Sequence, residues 1–112
     1  MTTKVAIYSL FRDNSKEYID QHMMRINTLD FTCADIGLFL VEGDSSVPTW
    51  DYITEWDDDR IHAIQHNTGN KKFAVGSTNP VRFQTLAQTA NAVLDTIPPE
   101  YDYVLGIESD LD

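Results

Sequence analysis

Apolar residues are arranged along this chain in short continuous runs, separated by longer stretches with a helical period. Residues 4–10 (KVAIYSL) and 35–43 (DIGLFLVEG) are nearly continuous apolar runs, which is typical of strands covered on both faces. Residues 60–66 (RIHAIQH) alternate between apolar and polar positions, and residues 102–109 (DYVLGIES) are again mostly apolar. We therefore predict four strands, and we expect the last to be buried like the first two.

The segments between the first three predicted strands favour helices. Asn14 and Glu17 have the spacing of a capping box, so a helix is predicted to follow the first strand. The apolar face of this helix consists of Ile19, Met23 and Ile26. A second, short helix is predicted to begin at Ser46 or Thr49 and to precede the third strand.

A longer helix is predicted between the third and fourth strands. Asn79 and Pro80 form a typical helix start, with Asn as the cap and Pro at the first helical position. The apolar face of this helix consists of Phe83, Leu86, Ala90, Val93 and Ile97. We expect Pro98 and Pro99 to end it.

The order of these elements is strand, helix, strand, helix, strand, loop, helix, strand. Such alternation predicts an α/β fold in which right-handed crossovers place helices on both faces of a parallel sheet. We expect one domain over residues 1–112, a three-layer α/β/α Rossmann-like architecture with a mostly parallel sheet of about four strands.

Composition narrows the classes of function. The net charge of -10 argues against binding to nucleic acid, which requires a basic surface. Cys33 is the only cysteine, so an internal disulfide and a cysteine-based zinc site are excluded. No apolar stretch approaches the length of a membrane span, and the N-terminal residues do not resemble a signal peptide. We expect a cytoplasmic protein without a transmembrane segment.

Two carboxylates follow the last predicted strand. Asp110 and Asp112 are two residues apart, so in an extended chain they point the same way, about 6.6 Å from one another. One or two carboxylates with waters and phosphate oxygens suit Mg²⁺ or Mn²⁺. In an open parallel sheet, ligands bind at the carboxyl ends of the strands, where this pair is expected. The alternative is a solvated acidic tail.

Four segments of the chain resemble the donor-binding half of the GT-A-fold glycosyltransferases. Residues 4–20 (KVAIYSLFRDNSKEYID) are similar to that family's first strand and its nucleotide-contacting loop. Residues 38–53 (LFLVEGDSSVPTWDYI) resemble its second strand and acidic turn. Residues 86–97 (LAQTANAVLDTI) and 101–112 (YDYVLGIESDLD) resemble its long helix and the strand carrying an Asp-x-Asp motif.

The resemblance implies a nucleotide-binding role for residues in the first two loops. Ser9, Leu10 and Arg12 would line the pocket for the base and ribose. Glu42 and Asp44 would accept hydrogen bonds from the base or ribose, although the family commonly has Asp at the position of Glu42.

The resemblance implies a metal and diphosphate site at the end of the chain. Asp110 and Asp112 would hold Mn²⁺ or Mg²⁺ and the diphosphate, with Asp110 also near the ribose or donor sugar. Asn91 matches an asparagine of the family's helix. The basic residue that often precedes this asparagine is Ala90 here, and Arg82 would supply the positive charge instead.

The resemblance implies transfer of a sugar from a nucleotide diphosphate sugar to an acceptor hydroxyl. It covers the donor-binding half alone, so the catalytic residue stays unknown and we expect the chain to be inactive by itself. The surface that the second half would cover predicts a homo-oligomer. Two alternatives remain open: a non-catalytic α/β binding or assembly module, and another phosphate-binding α/β enzyme.

Other polar groups have simpler interpretations. We interpret Asp57, Asp58 and Asp59 as a solvated loop. The three histidines, His22, His62 and His66, share no metal-ligand spacing and are expected to be structural or exposed. A loop carrying Lys71 and Lys72 either closes over a diphosphate or is an ordinary solvated turn.

Overall fold

A computed structural model describes residues 3–28, 34–67, 69 and 80–107, with the side chains of residues 82 and 83 excepted. Seven elements occur in these ranges. They are β1 (Thr3–Phe11), α1 (Lys16–Thr28), β2 (Ala34–Glu42), α2 (Thr49–Thr54), β3 (Ile61–Gln65), α3 (Pro80–Leu94) and β4 (Tyr103–Gly106). None of these helices is long and apolar enough to cross a membrane.

The four strands form one sheet in the order β3-β2-β1-β4, and every neighbouring pair is parallel. The predicted α/β fold class is therefore confirmed. Phe11 is in register with Glu42, and Glu42 with Gln65, so β1, β2 and β3 end at the same edge of the sheet. We call this edge, with the loops that leave it, the carboxyl rim.

Two apolar cores lie on opposite faces of the sheet, because neighbouring residues of a strand face opposite sides. The core beneath α1 and α2 contains Ile7, Phe11, Ile19, Met23, Ile26, Leu38, Leu40 and Ile53. The core beneath α3 contains Ala6, Phe39, Val41 and Val93. Helices thus cover both faces, as a three-layer Rossmann-like fold requires, and the predicted apolar face of α1 is confirmed.

The start of α1 differs from the capping box that the sequence suggested. The Ser15 hydroxyl accepts the N–H of Tyr18 at 3.3 Å, so Ser15 caps the helix and not Asn14. The Asn14 side chain instead accepts the N–H of Arg12 at 2.9 Å, within the loop that follows β1. The predicted position of the cap was wrong by one residue, because Asn and Ser are both good helix caps.

The prediction that the last strand is buried was wrong. All four residues of β4 are exposed. The reason is the placement of the helices: α3 packs on β1 and β2, and α1 and α2 lie over the core formed by those strands. The predicted face of α3 is also only partly buried, since Val93 is fully buried whereas Leu86 is 44% exposed.

Gly43 allows β2 to approach β3 closely where both strands reach the carboxyl rim. A Cβ at this position would overlap the backbone carbonyl oxygen of His66, which cannot move without breaking the strand pairing. We expect Gly43→Ala to lower the free energy of unfolding by about 3 kcal/mol, measured by urea denaturation.

Gly37→Ala is the matched control for this substitution. Its Cβ would meet side chains and no backbone atom, namely the hydroxyl end of Tyr101 and the ring edge of the buried Phe39 at 2.9 Å. These rings can shift more easily than paired backbone, so a smaller loss of about 2 kcal/mol is expected. Equal losses for the two variants would contradict the close backbone approach at Gly43.

Candidate functional site

The loops that follow β1, β2 and β3 are tied together at the carboxyl rim. The backbone pairing continues one residue beyond the strands, with Gly43 N–H donating to Phe11 O at 3.3 Å and His66 N–H donating to Glu42 O at 2.8 Å. The loops therefore leave the sheet side by side, and their polar side chains are brought within hydrogen-bonding distance.

Asp13 links the loop after β1 to the loop after β2. Its N–H donates to Ser45 Oγ at 2.9 Å, and its Oδ1 accepts the N–H and the hydroxyl of Ser46, the latter at 2.9 Å. Its φ of 55° lies in the left-handed region, which Asp tolerates better than most residues. Sequence reasoning missed this residue, because its partners are more than thirty positions away.

Asp44 links the loop after β2 to the loop after β3. Its N–H donates to Asn67 Oδ1 at 2.8 Å, and its Oδ1 accepts the N–H of Gly69 at 2.9 Å. Like Asp13, it has a positive φ, of 57°. Asp44 therefore has a structural role here, and its predicted contact with a base or ribose stays a prediction.

Glu42 is the last residue of β2 and is only 3% exposed. Its Oε2 accepts the side-chain amide N–H of Gln65 at 2.9 Å, across the pairing of β2 with β3. A carboxylate in such a position needs hydrogen-bond partners to offset its desolvation, and Gln65 supplies one. The structure thus places this carboxylate at the rim, while its predicted role as a nucleotide acceptor stays a prediction.

Ser9 and Leu10 point to opposite faces of the sheet. Ser9 is 1% exposed on the face beneath α1, and its Oγ lies 3.0 Å from Nε2 of the buried His22. Leu10 packs against the core beneath α3. A ligand at the rim would have to displace α1 to reach the Ser9 hydroxyl. The pocket for the base and ribose that the resemblance implies for these two residues stays a prediction.

His22 is a buried, neutral histidine. Desolvation, together with a smaller effect of the nearby charge of Arg25, lowers its pKa from 6.5 to about 4. The Phe11 ring packs edge-on against the imidazole with a centroid distance of 5.2 Å. The structural role expected for this histidine agrees with these contacts. Of the other two, His62 is exposed and stacks on Phe39 at 4.8 Å.

Of the remaining predicted site residues, the structure describes Asn91 and Arg12. Asn91 is exposed, and it lies about 200° around α3 from the buried Val93, so it faces away from the sheet. The Arg82 side chain lies outside the described residues. The residues outside the described ranges also include Asp110, Asp112, Lys71 and Lys72. Arg12 is half-buried and directly follows β1.

The aspartates before β3 lie far from the carboxyl rim, since β3 begins where they end. Asp57 and Asp59 are exposed, as the interpretation as a solvated loop requires. Asp58 pairs with Arg60 at 2.6 Å, and hydrogen bonds from this guanidinium lower the pKa of the carboxyl group. Within the described ranges, no group of three or more His, Cys, Asp or Glu side chains could hold a metal ion.

A groove of about 470 Å³ lies between α1 and α2, on the outer surface of the helices. Trp56 forms part of its wall and donates its indole N–H to Asp20 Oδ1 at 3.0 Å. The same carboxylate pairs with Lys16 at 2.8 Å, so these polar groups already have partners. The described side chains that line this groove do not form an arrangement typical of a catalytic site.

The strand order brings β1 and β4 together at the position where the topology reverses. The chain moves from β1 to β2 and β3 on one side, and β4 then returns to the other side of β1. In open α/β sheets, ligands bind outside the carboxyl ends of the two strands at such a switch point. Here these ends are the loop that begins at Arg12 and the segment after Gly106.

Comparison with known proteins does not assign the chain to a family. No protein-family model matches the chain, and no curated protein sequence matches it.

The lowered pKa of His22 predicts that the folded protein loses stability in mild acid. The unfolded state protonates His22 near pH 6.5 and the folded state only near pH 4. The contribution of neutral His22 to the free energy of unfolding is therefore fully present above pH 6.5. It is lost as the pH falls to about 4, by about 3 kcal/mol in total. Urea denaturation between pH 4 and pH 8 measures this loss.

His22→Gln should remove that component of the pH dependence, and the exposed His62→Gln should leave it unchanged. A wild-type slope that persists in His22→Gln would show that other groups cause the loss.

The hydrogen bonds that Asp13 accepts from Ser46 predict that the Asp13 side chain stabilises the two joined loops. Asp13→Ala removes the acceptor for Ser46 and places Ala at a positive φ, so we expect a loss of about 2 kcal/mol. Asp13→Asn keeps an oxygen acceptor and tolerates this φ, so its loss should be below about 1 kcal/mol. Thermal and urea denaturation of the two variants test the difference, and equal stabilities would contradict it.

Proposed function

We propose that this domain binds a nucleotide diphosphate sugar, together with Mn²⁺ or Mg²⁺, at the carboxyl rim beside β1 and β4. The observation that carries the proposal is the parallel sheet whose strand order reverses between these two strands. Folds of this topology bind nucleotides at that position, and the resemblance to the donor-binding half of GT-A-fold glycosyltransferases supplies the class of ligand.

The orientation of β4 supports the proposal. β4 is parallel to β1, and the N–H of Ile107 donates to Tyr8 O at 3.0 Å, so the chain leaves β4 toward the carboxyl rim. An antiparallel β4 would have sent the following residues toward the opposite edge. Asp110 and Asp112 follow Ile107 in sequence by three and five positions.

The proposed roles of the residues follow from their chemistry. Asp110 and Asp112 would hold the divalent cation, since carboxylate oxygens are ligands that Mg²⁺ and Mn²⁺ prefer. The cation would offset the negative charge of the diphosphate, which an acidic domain cannot do by itself. Arg12 and the loop that it begins would contact the nucleotide. Sugar transfer is the reaction class that the resemblance implies, and no residue is assigned as its base.

A non-catalytic binding or assembly module is the second candidate. It is favoured by the hydrogen bonds that already engage Asp13, Asp44 and Glu42, because these rim carboxylates hold the loops together. The two functions differ in whether a nucleotide diphosphate binds and whether that binding requires a metal.

Isothermal titration with UDP and with GDP, each with Mn²⁺ and with EDTA, tests the proposal. We expect weak binding of at least one nucleotide, at least about tenfold stronger with the metal, because the cation would be held by the carboxylates and would offset the charge of the diphosphate. The double substitution Asp110→Asn with Asp112→Asn should abolish the dependence on Mn²⁺.

The matched control is Asp57→Asn with Asp59→Asn, which removes the same charge from the opposite edge of the sheet and should bind as the wild type does. Absence of binding by both nucleotides in the presence of Mn²⁺ would favour the assembly module. Binding that is equal in Mn²⁺ and EDTA would contradict the metal site.

A further inference from the structure

The groove between α1 and α2 has a volume of about 470 Å³, which is within the range of pockets that hold a ligand. One wall is a row on α1 formed by Lys16, Asp20 and Met24, which are spaced four residues apart and so share one side of the helix. Lys16 Nζ pairs with Asp20 at 2.8 Å, and Met24 is 62% exposed. This wall therefore has an ion pair at one end and an exposed apolar side chain at the other.

Two aromatic side chains form part of the opposite wall. Tyr52 and Trp56 are both half-buried, because each packs partly against the core beneath α1 and α2 and partly lines the groove. The indole N–H of Trp56 also donates to Asp20 Oδ1 at 3.0 Å. The core thus anchors both rings, and their remaining surface is available to a partner that enters the groove.

The groove carries an excess of negative charge. Glu55 and Asp57 line it, and both are exposed. Neither carboxylate forms an ion pair with another described residue, whereas the third carboxylate, Asp20, is paired with Lys16. Residues 51–59 (DYITEWDDD) contain five acidic residues and no basic residue. The groove therefore combines aromatic surface with two carboxylates that have no cationic partner among the described residues.

This combination defines the chemistry of a ligand that fits. A guanidinium group stacks on Trp and Tyr rings and donates hydrogen bonds to carboxylates at the same time. A bare metal ion would gain nothing from the rings, and a nucleotide diphosphate would be repelled by the carboxylates. The exposed Met24 adds surface for an apolar side chain next to the cation, since Met adapts to partners of different shape.

We propose that this groove binds an arginine-containing segment of a partner protein. The guanidinium group lies against Trp56 and donates to Glu55 or Asp57, and an apolar side chain of the same segment packs against Met24. The groove is formed by the helices and the segment after α2, and not by the carboxyl rim. The inference therefore does not rest on the proposed nucleotide binding.

Titration of the ¹⁵N-labelled protein with the peptide acetyl-Leu-Arg-Leu-Arg-amide tests the proposal. We expect saturable shifts of the Met24 and Glu55 amide signals and of the Trp56 indole signal, and weaker binding as the salt concentration rises. The same peptide with citrulline in place of arginine has a similar shape and no charge. It should bind at least about tenfold more weakly, because it loses the charge-assisted hydrogen bonds.

Opposite charges introduced at Met24 provide a matched pair of variants. Met24→Lys adds a positive charge to the groove and should weaken binding of the arginine peptide at least about fivefold, whereas Met24→Glu adds a carboxylate and should strengthen it. The position is 62% exposed and both new residues are good helix formers, so both variants should fold alike, as circular dichroism will check.

Removal of the unpaired carboxylates tests their role directly. Glu55→Gln with Asp57→Asn should weaken binding of the arginine peptide about tenfold. The control is Asp35→Asn with Asp95→Asn, which removes the same charge from exposed positions outside the groove. At about 0.15 M salt, charges more than about 8 Å from the peptide are largely screened, so the control should bind within about twofold of the wild type.

Four outcomes would overturn the proposal. They are the absence of saturable shifts at the groove, equal binding of the arginine and citrulline peptides, equal effects of Met24→Lys and Met24→Glu, and an equal loss of binding in the two carboxylate variants. The last of these would show that the peptide is attracted to the acidic surface as a whole. All of these measurements are made without nucleotide, so their failure is distinct from failure of the proposed function.

Discussion

The structure depends on the parallel pairing of β1 with two strands at once. β1 pairs along its whole length with β2 on one side and through residues 5–8 with β4 on the other. Its alternating side chains also supply both cores, with Ile7 beneath α1 and Ala6 beneath α3. Because β1 is central, the loop after Phe11 lies at the point where the strand order reverses, which is the position of the proposed nucleotide site.

The carboxylates at the rim hold the loops in place. Asp13 and Asp44 each bond a neighbouring loop through backbone and side-chain groups, and both have a positive φ that few residues tolerate. The buried Glu42 is bonded across to Gln65. The loops after three strands thus form a polar surface that is connected by hydrogen bonds within the chain itself. Hydrogen bonds of this kind lower the entropy that the binding of a ligand would cost.

The sequence predicted the positions of the strands and helices better than it predicted their burial and their tertiary contacts. The run from Leu38 to Val41 is apolar because both faces of β2 are covered, and its pattern indicated that directly. β4 has the same kind of pattern, yet it is exposed, because exposure depends on where the helices pack and not on the strand itself. The roles of Asp13 and Ser9 were missed for a similar reason: their partners, Ser46 and His22, meet them only in the folded chain.

Amide NMR spectra recorded during titration with a nucleotide diphosphate and Mg²⁺ test the location of the proposed nucleotide site most directly. We expect the shifted signals to cluster at Arg12, at Asp13 and at Ile107, which lie where β1 and β4 leave the sheet. Shifts confined to the groove between α1 and α2, or to the opposite edge near Asp58, would contradict it.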